Sequence, residues 1–114
     1  ARLSGLYQTL ELIRMATKSD KPVIVTSSLE SGVGIAASAH RASTLPSHTP
    51  AHGLATGLLL REDLLVAPLV PRDGTLATPL GPGLGVELNK ELLGRYGIGI
   101  MGCAGSWHKC PWNG

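Results

Sequence analysis

The stretch that decides the fold runs Pro22-Val23-Ile24-Val25-Thr26-Ser27-Ser28-Leu29-Glu30-Ser31-Gly32-Val33-Gly34-Ile35-Ala36-Ala37-Ser38-Ala39-His40. Val23, Ile24 and Val25 are a continuous β-branched run between a proline and three hydroxyl residues, the pattern of a short strand buried on both faces. Glu30-Ser31-Gly32 breaks the run, and a small-residue helix follows from about Val33 to Thr44, stopped by Pro46. Its Ala36, Ala37, Ala39 and Ala42 allow a neighbour to approach closely. A buried strand feeding a helix across a hydroxyl-rich turn is the βα unit of a parallel α/β protein.

Outward from this unit the texture stays α/β. On the N-terminal side, residues 4–18 read as an amphipathic helix, with Leu6, Leu10 and Ile13 at helical spacing, Tyr7 and Ala16 beside them, and Ser4 placed to cap it. On the C-terminal side comes a loop over residues 46–52, then a short strand from Gly53 to about Thr56. Leu58 to Leu65 read as a short helix or turn with Arg61, Glu62 and Asp63 on its wet side. Asp73-Gly74 is a turn signal, and Gly81-Pro82-Gly83-Leu84-Gly85 is a corner. Val86 and Leu88 suggest a strand fragment, and Asn89 is placed to cap a last helix with Leu92 and Leu93 on its buried side. Only two clear strands appear, too few for a free-standing parallel sheet, so the pattern calls for partners.

Composition bounds the function. The chain has 114 residues and a formal net charge of +2, so it lacks the basic excess of a nucleic-acid binder. With 43% hydrophobic and 16% charged residues it is not a disordered polyampholyte. No apolar run approaches the ~20 residues that span a membrane, and the start, Ala1-Arg2-Leu3, lacks a secretory pattern. A start other than Met is expected of a processed chain or of a piece of something longer. Residues 8–95 hold no aromatic side chain, which leaves Leu, Val, Ala and Gly to build whatever core there is. The two cysteines, Cys103 and Cys110, stand together in the tail; their absence elsewhere fits a reducing cytoplasm.

The hydroxyl cluster Thr26-Ser27-Ser28 is the strongest candidate site. It lies where a strand ends and a helix begins, and ligands of α/β folds bind at the C-terminal ends of strands. A helix N-terminus there offers unpaired N–H groups to a carboxylate or phosphate. The structural alternative is a capping box, since Ser27-x-x-Glu30 matches S-x-x-E. Gly32-x-Gly34-x-x-Ala37 matches a dinucleotide fingerprint only superficially, because its first glycine lies several residues past the strand. His40, His48 and His52 form no tight metal-ligand cluster, and Cys103, His108 and Cys110 lack the paired C-x-x-C spacing of a zinc site. Glu30 is the only acid at a strand end, so a carboxylate-held Mg²⁺ has no ligand set in this chain.

The run from Pro22 to His40 resembles the seventh βα unit of the barrel in the enolase superfamily, most of all in o-succinylbenzoate synthases of the muconate-lactonizing subgroup. His52-Gly53-Leu54-Ala55-Thr56-Gly57-Leu58-Leu59-Leu60-Arg61-Glu62-Asp63-Leu64-Leu65 resembles the eighth strand and its helix. Residues 1–15 are similar to the helix after the sixth strand, and Asp73-Gly74 through Gly81–Leu88 to Tyr96 to the C-terminal return toward a capping domain. The resemblance covers residues 1–97; the tail 98–114 departs from it. It implies an α/β fold, the C-terminal portion of a (β/α)-barrel. Residues 1–70 then hold the last barrel units, 71–97 the return segment, and 98–114 a divergent tail.

The resemblance also implies a chemistry. Such enzymes dehydrate a cyclohexadiene carboxylate to o-succinylbenzoate in menaquinone synthesis, in the cytoplasm. Mg²⁺ on three strand-end acids and two lysines, on the second and sixth strands, manage an enediolate. Those acids and the second-strand lysine lie outside this chain, and the sixth-strand lysine is expected just before Ala1. Lys18 and Lys21, on a helix end and a loop, do not replace them. No catalytic or metal-binding residue is therefore expected here, nor a cofactor for this chain alone, and the isolated chain is expected to be inactive. What carries over is substrate binding at Thr26, Ser27, Ser28 and Gly53, which in the family approach the succinyl carboxylate. That moves the hydroxyl cluster from capping box to anion site. The expected partners are a small carboxylate substrate and the N-terminal part of the barrel, with neither nucleic acid nor membrane. An N-succinylamino acid racemase or dipeptide epimerase is the alternative within the superfamily, and a non-catalytic interaction fragment the alternative outside enzymes.

Overall fold

The computed structural model describes residues 5–46 and 48–97. Its elements follow one another as α1 (Leu6–Lys18), α2 (Gly32–Ala42), a 3₁₀ turn at Thr56–Leu59 and α3 (Lys90–Tyr96). Strand pairing among the described residues is confined to isolated bridges: Thr26 with Gly53 in parallel, Leu65 with Leu88 and Arg72 with Thr75 antiparallel.

α2 is the centre of the molecule. Gly32, Ile35, Ala36, Ala37, Ser38, Ala39 and Arg41 are all buried on it, and Ile35 is 1% exposed. Small side chains let neighbours come this close, as the sequence pattern predicts. A Cβ on Gly57, in the 3₁₀ turn, would stand 2.8 Å from Ile35 Cδ1. Ala39 packs with Val25 and Leu54, and Ala42, Leu45 and Leu76 close around them. The helix runs to Ala42 and ends there, before Pro46 is reached.

The 22–28 segment alternates as a strand does. Val25 is buried toward α2, whereas Ile24 on the opposite face is 54% exposed. The expectation of burial on both faces is therefore corrected: one face is covered by α2, and nothing among the described residues covers the other. Its pairing with the next segment is real but short. Gly53 N–H donates to Val25 C=O and Ser27 N–H to Gly53 C=O, each at 2.9 Å. The strand expected from Gly53 to Thr56 reduces to this single bridge, because the chain turns at once into the 3₁₀ helix. That short turn stands where a helix or turn from Leu58 to Leu65 was expected.

Several turns follow the sequence closely. Arg72 and Thr75 exchange both backbone hydrogen bonds around Asp73 and Gly74, whose φ values of 48° and 74° make the left-handed pair that a two-residue hairpin requires. Asn89 Oδ1 accepts from the N–H groups of Glu91 and Leu92, capping α3 as expected, and Leu92 and Leu93 are half-buried. α1 behaves differently. Only Ile13 is buried, while Leu6, Tyr7, Leu12 and Met15 are exposed, so its apolar face is largely open. Gly5 holds its N-cap position, and Ser4 lies outside the described residues.

Candidate functional site

The parallel bridge between Thr26 and Gly53 gathers the candidate residues into a rim. Successive side chains of a strand point to opposite faces. Thr26 and Ser28 thus share the open face with Ile24, and Ser27 lies on the covered face with Val25. Thr26 and Ser28 are exposed, and neither hydroxyl hydrogen-bonds to a described residue. Ser27 is committed: its Oγ donates to Gly53 C=O at 3.1 Å and lies 2.6 Å from Thr56 Oγ1. With its one proton given to the carbonyl, Ser27 accepts from Thr56 and has none left for a ligand. Gly53 keeps the rim open, since a Cβ there would sit 3.2 Å from Thr26 Cγ2. Thr26, Ser27 and Ser28 line one end of a groove of ≈ 820 Å³ that continues beneath α1.

The capping box is not formed. α2 begins at Gly32 with Ser31 in the N-cap position, so Ser27 is too early in the chain to cap it, and its hydroxyl is engaged elsewhere. The helix N-terminus is satisfied by Asp63 instead. Asp63 Oδ1 accepts from Gly32 N–H and from Leu64 N–H, each at 2.7 Å. This corrects the expectation that Asp63 belongs to a solvated face: it is half-buried and supplies the negative charge that the positive end of α2 favours. It also narrows the anion reading, because α2's first N–H is already taken. No local signal marked Asp63, which meets Gly32 from a distance of thirty-one residues along the chain. Gly32 is needed for the meeting, since a Cβ there would lie 2.2 Å from Asp63 Oδ2 and 2.4 Å from Leu65 Cδ1. Glu62 does face solvent, but it takes Arg95 at 3.3 Å and the hydroxyl of Tyr96.

His40 and His52 serve the fold. His52 Nδ1 accepts the Val25 N–H at 3.3 Å, extending the backbone pairing by one side chain, and His40 Nε2 lies 3.2 Å from the Leu84 carbonyl. Among the described residues no group of three or more His, Cys, Asp or Glu could hold a metal ion. A Mg²⁺ therefore has no fitting donor set among them, and Asp63 is bound to backbone. Cys103, His108 and Cys110 lie outside the described residues. No helix among the described residues is long and apolar enough to cross a membrane.

Comparison with known proteins agrees with this architecture. A family model described as "Enolase C-terminal domain-like" matches residues 1–92. The chain is 43% identical over 77 residues to the o-succinylbenzoate synthase of Mycobacterium marinum, covering 68% of this chain and 22% of that protein. It is 36% identical over 90 residues to muconate cycloisomerase 1 of Rhodococcus opacus, covering 79% and 24%. The crystal structure of a muconate lactonizing enzyme from Klebsiella pneumoniae superposes with a TM-score of 0.75 at 37% identity, over 82% of this chain and 26% of that one. The chain thus spans about a quarter of the length of the relatives it matches. With its βα unit, its rim at the strand end and its matched residues 1–92 taken together, the chain belongs to the enolase C-terminal domain-like family and has the fold of the C-terminal part of an enolase-superfamily barrel.

Proposed function

We propose that this chain is the closing part of an o-succinylbenzoate synthase-like dehydratase of menaquinone synthesis in the cytoplasm, and that its share of the work is to bind a substrate carboxylate at the rim. The observation that carries the reading is the rim's geometry. The Thr26–Gly53 bridge holds two exposed, unengaged hydroxyls, those of Thr26 and Ser28, at the mouth of the groove. Both can donate to a carboxylate, and hydrogen bonds to an ionised acceptor are the strong ones. Ser27 is a positioning residue, locking the rim to Gly53 and Thr56. The 43% identity to the Mycobacterium marinum synthase supports the choice of substrate class. Proton abstraction and metal binding belong to the remainder of the barrel, which is the chain's partner; alone, the 114-residue chain is inactive.

The test is an NMR titration of the chain with o-succinylbenzoate. The amides of Thr26, Ser28 and Gly53 are expected to shift, and the shifts to vanish when Thr26→Val and Ser28→Ala are combined. A diamide analogue that shifts them equally would remove the carboxylate from the reading, and turnover by the purified chain with Mg²⁺ would overturn its inactivity. A second reading, muconate cycloisomerase, is favoured by the likeness to the Rhodococcus opacus and Klebsiella pneumoniae enzymes. Stronger shifts with cis,cis-muconate than with o-succinylbenzoate would select it.

A further inference from the structure

Arg41 is the one buried cation of the described residues, and it is 8% exposed. Its Nε is fully buried with no hydrogen-bond partner, and its guanidinium makes no ion pair with any described residue. Removing a guanidinium from water without an acceptor is unfavourable, so buried arginines are normally paired. Arg41 lines the groove of ≈ 820 Å³ beneath α1, together with Leu12, Ile13 and Ala16 of that helix and the 22–28 segment.

A second, independent observation comes from the backbone. Val25 and Ser27 turn their hydrogen-bonding groups toward Gly53. By the alternation of a strand, Ile24 and Thr26 turn theirs the other way, and neither has a backbone partner among the described residues. The groove is therefore bounded by an open strand edge, an apolar helix face and an unpaired cation. An open edge is a template for another strand.

A barrel already places a neighbouring strand along the edge at Ile24 and Thr26; we propose that this strand carries one carboxylate, Asp or Glu, to Arg41 in the groove. The face of that strand turned toward α1 and α2 is otherwise apolar, to cover Leu12. Arg41 then acts as a register pin. A one-residue slip turns the carboxylate to the opposite face and leaves both charges unpaired. The proposal rests on the reading of this chain as part of a barrel and adds the chemistry its neighbour must bring.

The probes are three eight-residue peptides of alternating Val and Thr, N-methylated along the outer edge to block self-pairing. They carry Glu, Gln or Lys at a central position of the valine face. Binding to the full chain is followed by the slowing of hydrogen exchange at the Ile24 and Thr26 amides. The Glu peptide is expected to bind on the order of tenfold tighter than the Gln peptide, and the Lys peptide weakest. In Arg41→Met the preference for Glu disappears, and in Arg41→Glu it passes to Lys. If all three peptides protect these amides equally in the unaltered chain, the edge takes a strand but Arg41 does not select it. The proposal then falls while the barrel reading stands. If no peptide protects them, a free strand does not dock at this edge and the proposal falls, while membership of the family, which rests on the matched residues 1–92, stands.

Discussion

α1 and α2 are built from similar apolar content and end in opposite circumstances. α2 buries seven of its residues against partners within the chain, from Asp63 and Leu65 at its start to Val25 and Leu54 along its side. α1 buries only Ile13 and leaves Leu6, Tyr7, Leu12 and Met15 in solvent. The difference lies in what each helix was given to pack on. α2 rests on the 22–28 segment and on the return of the chain through Gly57, whereas α1 looks across the groove at an open strand edge. Tight packing in one half of the molecule and an uncovered apolar face in the other is what a portion of a barrel predicts.

The largest effect is expected from Gly32→Ala. The new Cβ would meet both the Asp63 carboxylate and Leu65 well inside contact distance, with neither able to retreat without giving up its own role. A loss of about 3 kcal/mol, or of cooperative unfolding altogether, should appear in a thermal melt followed by circular dichroism. The contrast between the helices is tested more directly by a matched pair. Ile35→Ala empties a site that is 1% exposed and should cost roughly 3 kcal/mol. Leu12→Ala on the open face should change stability by less than about 0.5 kcal/mol. Equal losses would mean that α1 is packed after all.

A smaller effect is expected at the start of α2. Asp63→Ala leaves the N–H groups of Gly32 and Leu64 without their acceptor and removes the charge at the start of α2. It should destabilise by about 1–2 kcal/mol, and Asp63→Asn should recover part of that. Tyr96 gives the mildest test. Its hydroxyl donates to Glu62, which holds its pKa above the usual 10.0. The bond needs the protonated phenol, so it persists below that raised pKa and is lost as pH rises through it. An ultraviolet titration in a Tyr7→Phe background should show the phenolate appearing late, and Glu62→Gln should move it earlier. An unchanged titration would mean that the contact is not made in solution.

Local signals were legible wherever the cause is local. The cap at Asn89, the Asp73-Gly74 hairpin and the alanine side of α2 depend on a few consecutive residues. The hydroxyl rim was legible too, since a strand end followed by a helix is itself a local pattern. The identity of the group at α2's N-terminus was not. Ser27-x-x-Glu30 matches a capping box by spacing, yet Ser27 is drawn away by Gly53 and Thr56, and Asp63 arrives from another turn. The Val23–Val25 run likewise reads as buried on both faces because it is apolar, and hydropathy cannot say whether the covering layer is present.

By itself, then, the order of residues determined where the chain turns and which helix can pack tightly, because propensity, capping and side-chain size act within a few residues. Only the tertiary structure decided that Asp63 serves the helix start, that His52 supplements the strand, that Ser27 is spent on positioning while Thr26 and Ser28 stay free, and that Arg41 waits unpaired beside an open edge. Each of these is a choice among partners far apart in the chain, and competition for a hydrogen bond or a layer of apolar cover is settled only when those partners meet in space.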